Sequence, residues 1–301
     1  MTLSVYTSMA IIAKYRFPYF LAELHLITRQ IRQQFYQIYG NKLLLIIGMM
    51  FFNITAQAEI YLVTNNSDAG LNSFRQALVD ANMEPGLDTI QFTISGTVVH
   101  LTTSAVMDIN ILPDINDSLL ILGNHNTLVA SVTGRFFQIN SACEIYSLTF
   151  DGGQAVATGG AVRTAGAPVC SFTNCTFLNN SAPVSGGAIH SDGDLKLEEC
   201  TFDNNTADIG GALFIRSYPA SMLPLNELLV YNCTFTDNIV TSDGGAIYVD
   251  DSKLILKTST FETTTGTFNQ TIALKGTYSS VEILPTFAVM PPALLLIYHV
   301  V

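Results

Sequence analysis

Charge is scarce in this 301-residue chain: Asp, Glu, Lys and Arg make up 12% of it, against 49% hydrophobic residues. A composition this apolar, rich in threonine, asparagine and glycine between the apolar positions, excludes a disordered chain and suits an all-β protein. Basic residues are the rarer sign. Residues 1–58 hold Lys14, Arg16, Arg29, Arg32 and Lys42 against one acid, Glu23, which leaves eight basic and 23 acidic side chains in the rest. That balance disfavours nucleic acid and anionic membranes as partners. Long apolar runs are missing too. Residues 43–52 (LLLIIGMMFF) form a run of ten and residues 293–301 a run of nine, whereas a membrane-spanning helix needs about 20. The cysteines form no C-x-x-C, and the C-x₄-C of Cys170 and Cys175 has no second pair to complete a zinc site. No G-x-S-x-G, H-E-x-x-H or phosphate-binding loop occurs.

What is present is a repeat. The segments LTFDGG…GGAV, CTFLNN…GGAI, CTFDNN…GGAL and CTFTDN…GGAI follow one another, with Phe150, Phe177, Phe202 and Phe235 at equivalent places. Each phenylalanine precedes a Gly-Gly-Ala triplet beginning at Gly159, Gly186, Gly210 or Gly244, and a weaker fifth copy without glycines starts at Phe261. The steps between phenylalanines are 27, 25, 33 and 26 residues. Self-similarity at this period marks a stacked repeat rather than a globule.

Within each copy, apolar residues alternate with polar ones, as in Leu195-Lys196-Leu197 and Cys200-Thr201-Phe202. A period of two is a strand with one buried face. The three-residue step from Leu197 to Cys200 breaks the alternation as a corner does. The turns leave no room for a crossover helix, so identical strands stack in parallel at about 4.8 Å. The predicted fold is an all-β, right-handed parallel β-helix solenoid whose interior is filled by stacks of like residues. Asn180, Asn205 and Asn238 each lie three residues after a phenylalanine and predict an asparagine ladder at a corner, with left-handed backbone there. The Gly-Gly pairs fit a tight bend. The 33-residue copy carries extra residues around 217–226 (SYPASMLPLN), which predict an outward loop. Cys143, Cys170, Cys175, Cys200 and Cys233 fall in inward columns, where the simplest role is that of a small hydrophobe. Cys143 over Cys170, or two of the other three, also come close enough to bond if they tilt.

The ends differ from the repeat. Lys42, the apolar run 43–52 and Ala56 and Ala58 before Glu59 have the pattern of a secretory signal cleaved near 58/59. The chain therefore divides into an N-terminal extension plus signal peptide (1–58), a cap and first coils (59–140), the β-helix repeats (141–284) and an apolar tail (285–301) that caps the coil or precedes further chain. The segment NSFRQALVDAN at residues 72–82 is one convincing helix. Asn72 or Ser73 caps it, and Phe74, Ala77, Leu78 and Ala81 form one face that covers the open end of the solenoid.

The CTFxNN…GGAI copies, with the pairs Phe177–Asn180, Phe202–Asn205 and Phe235–Asn238, resemble the repeat of chlamydial polymorphic outer-membrane proteins. The stretch YLVTNNSDAGLNSFRQALVDANMEPGLDTIQFTISGT resembles the start of many bacterial secreted parallel β-helix proteins. The resemblance covers about residues 60–284. It implies a pectin-lyase-like β-helix exported to the outer membrane, the cell surface or the medium, often as an adhesin-like passenger. The partners it implies are a host-cell surface or a polysaccharide. Residues after the repeats are too few for the C-terminal barrel of the large chlamydial proteins.

Pectate-lyase-like enzymes hold calcium on outward aspartates and use an arginine or lysine as base. The matching outward column here is Arg163, His190, Phe214 and Tyr248, followed two residues on by Ala165, Asp192, Arg216 and Asp250. This places Arg216 between Asp192 and Asp250 with His190 near, and makes Phe214 and Tyr248 a sugar-stacking pair. A salt-bridge ladder on an exposed sheet explains the same residues without chemistry. His100, His125 and His190 show no partner in sequence, and Asp203, Asp208, Asp237, Asp243 and Asp251 fall in different columns, too dispersed for the six to eight oxygens of calcium. The leading expectation is an exported interaction module without catalytic activity and without a cofactor. The alternative is a polysaccharide lyase or glycoside hydrolase on the Asp192–Arg216–Asp250 face, the one reading that calls for Ca²⁺.

Overall fold

The computed structural model describes residues 58–103, 110–166, 169–217, 224–262, 265–266, 271–284 and 297–300. The proposed signal segment, the residues before it and most of the apolar tail lie outside the described residues. The described part is a right-handed parallel β-solenoid. Its strands form a 14-stranded sheet, a seven-stranded sheet and a small three-stranded sheet.

One coil shows how sequence makes the shape. Strand Leu195–Glu198 points Leu195 and Leu197 inward. Glu199 takes φ +54°, and this left-handed residue turns the chain so that Cys200 and Phe202 again face in. Strand Thr201–Asp203 follows, then Asn204 at φ +54° makes the second corner. Gly210 at φ +60° opens the bend into strand Leu213–Arg216. Neighbouring coils repeat the pattern in register, Leu195 over Cys170 and under Leu228.

The interior stacks are as the repeat predicts. The rings of Phe150, Phe177, Phe202, Phe235 and Phe261 lie one over the next at 5.0, 4.9, 4.9 and 4.8 Å, with interplanar angles of 15° or less. Asn180, Asn205 and Asn238 are fully buried. Asn180 Nδ2 donates to Asn205 Oδ1 and Asn205 Nδ2 to Asn238 Oδ1, both at 3.0 Å. The left-handed backbone, however, sits one residue earlier, at Asn179, Asn204 and Asp237. The ladder asparagines are free of that duty because the corner has already turned before them, and their side chains serve the interior. The five cysteines are buried and unbonded to one another. The thiols of Cys170, Cys175, Cys200 and Cys233 donate to carbonyls of the coil, as Cys200 does to Phe172 O at 3.3 Å.

The second glycine of each bend is needed for close approach. A Cβ on Gly160, Gly187 or Gly211 would lie 1.9–2.3 Å from the carbonyl oxygen of the matching glycine in the next coil.

Helix α1 (Phe74–Ala81) is capped by Ser73, whose Oγ accepts the Gln76 N–H, while Asn72 is left-handed at φ +58°. Phe74 packs on Phe92 at 5.1 Å, so α1 covers the first strands, Ile60–Val63 and Asp88–Phe92. Arg75 ties the cap down: its guanidinium donates to Asp68 Oδ1 and Ile111 O at 2.5 Å and to Thr103 O at 2.8 Å. At the other end, strand Ile297–Val300 adds a parallel rung against Ile272–Lys275, so this part of the tail continues the coil.

Candidate functional site

The seven-stranded sheet sets Arg163, His190, Phe214 and Tyr248 side by side in one column. Arg216 and Asp250 are register partners further along. The strands thus bring together every residue that the sequence picked for this face, but in a different arrangement.

Asp192 is the hub. Its Oδ1 accepts from Arg216 Nε at 2.5 Å and from His190 Nε2 at 3.3 Å, and its Oδ2 accepts from Arg163 Nη2 at 3.0 Å. Burial alone would raise its pKa, but the bonds from His190, Arg216 and Arg163 outweigh it and hold the carboxyl well below the usual carboxylate range. Arg216 therefore leans to Asp192. Asp250 is left with a raised pKa, chiefly from burial, with Lys275 and Arg216 opposing and Asp251 reinforcing it.

His190 is not without partners. Its Nδ1 lies 2.7 Å from Ser185 Oγ, and its ring stacks on Phe214 at 4.6 Å. A carboxylate only accepts, so Nε2 carries the proton toward Asp192 and Nδ1 accepts from the Ser185 hydroxyl. Burial pushes the imidazole pKa down, Asp192 pushes it up, and the two arginines push it down again, with a net lowering. The chain Ser185–His190–Asp192 has the connectivity of a nucleophile, base and orienting carboxylate. Ser185 and His190 are each only 2% exposed, so no substrate carbonyl reaches the hydroxyl in this conformation.

Phe214 and Tyr248 leave the inward column as predicted but offer no platform. They are 4% and 5% exposed, stacked on each other at 5.4 Å. The glycine bends cover them: a Cβ at Gly210 or Gly244 would sit 3.2 or 3.1 Å from Tyr248 Cβ. A sugar ring has no access to their faces.

The predicted loop at 217–226 closes at its neck beside this cluster, its residues 218–223 lying outside the described part. Asn226 donates through Nδ2 to Arg216 O and Asp192 O at 2.7 and 2.9 Å, and Ser217 Oγ accepts the Asn226 N–H at 2.7 Å.

Sequence reasoning missed Ser185 and the pairing of Arg163. It also missed Arg135, 3% exposed, whose Nε and Nη1 have no partner among the described residues and whose charge burial disfavours. Among the described residues no group of three or more His, Cys, Asp or Glu converges as metal ligands, and no helix is long and apolar enough to cross a membrane.

The stacked coils, ring column and asparagine ladder define a parallel β-solenoid with an ion-pair cluster on one lateral face. Residues 114–283 match the family model described as the right-handed β-helix region. That is more than half of the chain, and the protein belongs to this family. No curated protein and no solved structure matches it.

Proposed function

We propose that the protein is an exported β-helix interaction module, adhesin-like and without catalytic activity, working at the cell surface or outer membrane or in the medium. The observation that carries this reading is the state of Asp192. Its two oxygens are taken by Arg163, Arg216 and His190, so this carboxylate is held by protein partners rather than waiting for a substrate. A general acid or base needs a pKa near the working pH, and Asp192 is held far from it. Export is supported by the apolar run 43–52 with its Ala56/Ala58 site and by the likeness of the repeat to chlamydial polymorphic outer-membrane proteins. Partners of the class those proteins suggest are host-cell surfaces and polysaccharides.

The test is cleavage of polysaccharides by the purified protein, with and without calcium. No unsaturated sugar products are expected; their release would overturn the non-catalytic reading. N-terminal sequencing of the exported protein is expected to start at Glu59.

A carbohydrate-active enzyme is the second reading, favoured by one observation: the orientation Ser185–His190–Asp192, with Asp250 raised nearby. It requires the cover over Ser185 to open, and it fails if Ser185→Ala leaves every hydrolytic and lyase activity of the protein unchanged.

A further inference from the structure

The long sheet carries an outward row on a different run of strands from the Asp192 cluster. Thr127, Thr149, Thr176, Thr201, Thr234 and Thr260 are register partners across six successive rungs. Each is half-buried, and each precedes an inward residue, Leu128 or a phenylalanine of the ring stack. Strand alternation therefore sends all six hydroxyls to the outside. Among the described residues none of these hydroxyls has a hydrogen-bond partner.

Two residues further on, the same face presents Asp151, Leu178, Asp203, Thr236 and Glu262. Asp151 accepts from Asn179 Nδ2 at 2.8 Å, and among the described residues the carboxylates of Asp203 and Glu262 have no partner. The result is a strip of outward hydroxyls, one per rung at ~4.8 Å along the solenoid axis, flanked by the carboxylates of Asp203 and Glu262 on two of its rungs.

We infer that this strip binds a linear, neutral polysaccharide lying along the axis; the inference rests on the interaction-module reading above. Three observations choose the occupant. The repeat of the donors and acceptors suits a ligand that is itself a repeating row of hydroxyls, and an extended β-linked glycan advances by about one rung per sugar. Carboxylates accept from sugar hydroxyls but repel a polyuronate, so the polymer is neutral. The strip has no aromatic or arginine anchor, which a protein partner would need. A single exposed hydroxyl contributes about 1 kcal/mol or less, so binding grows with the number of rungs spanned and short oligosaccharides bind weakly.

The experiment is affinity electrophoresis of the full-length protein through gels containing hydroxyethylcellulose or polygalacturonate. Retardation is expected in the neutral glucan and not in the polyuronate. The double variant Thr176→Val/Thr201→Val keeps the β-branched shape and removes two hydroxyls. It should bind roughly tenfold more weakly with an unchanged melting temperature. Lys196→Gln, in another column of the long sheet, should bind as the parent does. Equal binding by the Thr→Val double variant overturns this face as the site. Binding to polygalacturonate alone, or to cell surfaces but to neither polymer, overturns the ligand class while leaving the interaction module standing. Cleavage of the glucan in the gel would instead overturn the non-catalytic reading.

Discussion

Replacing Asn205 by alanine isolates what the buried ladder is worth. Asn205 Oδ1 accepts the backbone N–H of Asn180 at 3.1 Å and its Nδ2–H at 3.0 Å. Its own Nδ2 donates to Phe177 O and Asn238 Oδ1 at 3.0 Å. Truncation does not harm these four bonds equally. Asn238 Oδ1 keeps the Asn205 backbone N–H at 3.1 Å, and Asn180 Nδ2 keeps Phe150 O at 3.0 Å. What is stranded is one backbone donor and one amide hydrogen of Asn180, both fully buried. Each buried unsatisfied donor costs about 1–3 kcal/mol, so Asn205→Ala should destabilise by about 4 kcal/mol, a large part of the ~5–15 kcal/mol a domain has. The neighbouring Asn204 gives the contrast. Its side chain donates only to exposed Asn179 Oδ1 at 2.7 Å, its backbone sits at φ +54°, where glycine fits without strain, and its N–H bond to Thr236 O survives the change. Asn204→Gly should therefore stay within ~0.5 kcal/mol of the parent. Urea unfolding followed by far-UV circular dichroism measures both. A loss of under about 1 kcal/mol in Asn205→Ala, level with Asn204→Gly, would refute the idea that the ladder carries stability.

Four further outcomes follow from the structure. Gly211→Ala brings a Cβ to 2.3 Å from Gly245 O and 2.9 Å from Ile239 O; backbone cannot give way as a side chain can, so soluble yield should collapse. Gly166→Ala, at φ +57° with open space around it, should cost only about 1–2 kcal/mol. Arg135→Met removes a buried charge with two N–H groups unpaired among the described residues, and stability should rise by about 1–3 kcal/mol, with a higher melting temperature; a fall would mean the guanidinium has a partner in solution. The pH dependence has a definite sign. Folded His190 and folded Asp192 both have lowered pKa values, so the unfolded chain binds more protons and stability falls with acidity. The His190 part goes as pH drops below its ordinary value of 6.5, and the Asp192 part as pH drops below the ordinary carboxylate value of 3.8. Urea midpoints of His190→Gln between pH 8 and 4 should lack the upper of the two declines.

The repeat made the interior legible because like residues recur at a constant offset. Once Phe177, Phe202 and Phe235 are aligned, strand periodicity alone turns them inward, and the stack follows. The ladder asparagines were found the same way, but their backbone was not. The left-handed corners before the ladder are Asn179, Asn204 and Asp237; Asn and Asp both tolerate that backbone, so adjacent pairs such as Asn179-Asn180 do not say which residue turns, and the asparagine that recurs in all three copies draws the assignment one place too late. The Asp192 cluster was half legible. Alternation gives the direction of Phe214 and Tyr248, yet says nothing of what lies over them, and the cover comes from bends that glycine lets close down. Ser185 had no signal at all, because its column neighbours are Thr158 and Ile209 and its partner His190 lies across a bend.

The two lateral faces differ in one physical respect that bears on function. Around Asp192, the principal polar contacts face inward to one another: carboxylate to two arginines, imidazole to carboxylate and serine, loop-neck amide to backbone carbonyls. Such a network gains nothing from a ligand unless the ligand does better than those partners, and it must first be broken. Along the threonine row the hydroxyls have no protein partner among the described residues, so a ligand there breaks no internal bond and gains by repetition. The gain scales with the number of aligned rungs, which is set by the fold itself: the same register that stacks Phe177 under Phe202 also sets Thr176 beside Thr201. A substitution that shifts one coil would therefore weaken ring stack and row together, whereas Thr→Val touches the row alone. If the two effects separate as described, the regular core acts as the ruler that spaces the outer surface.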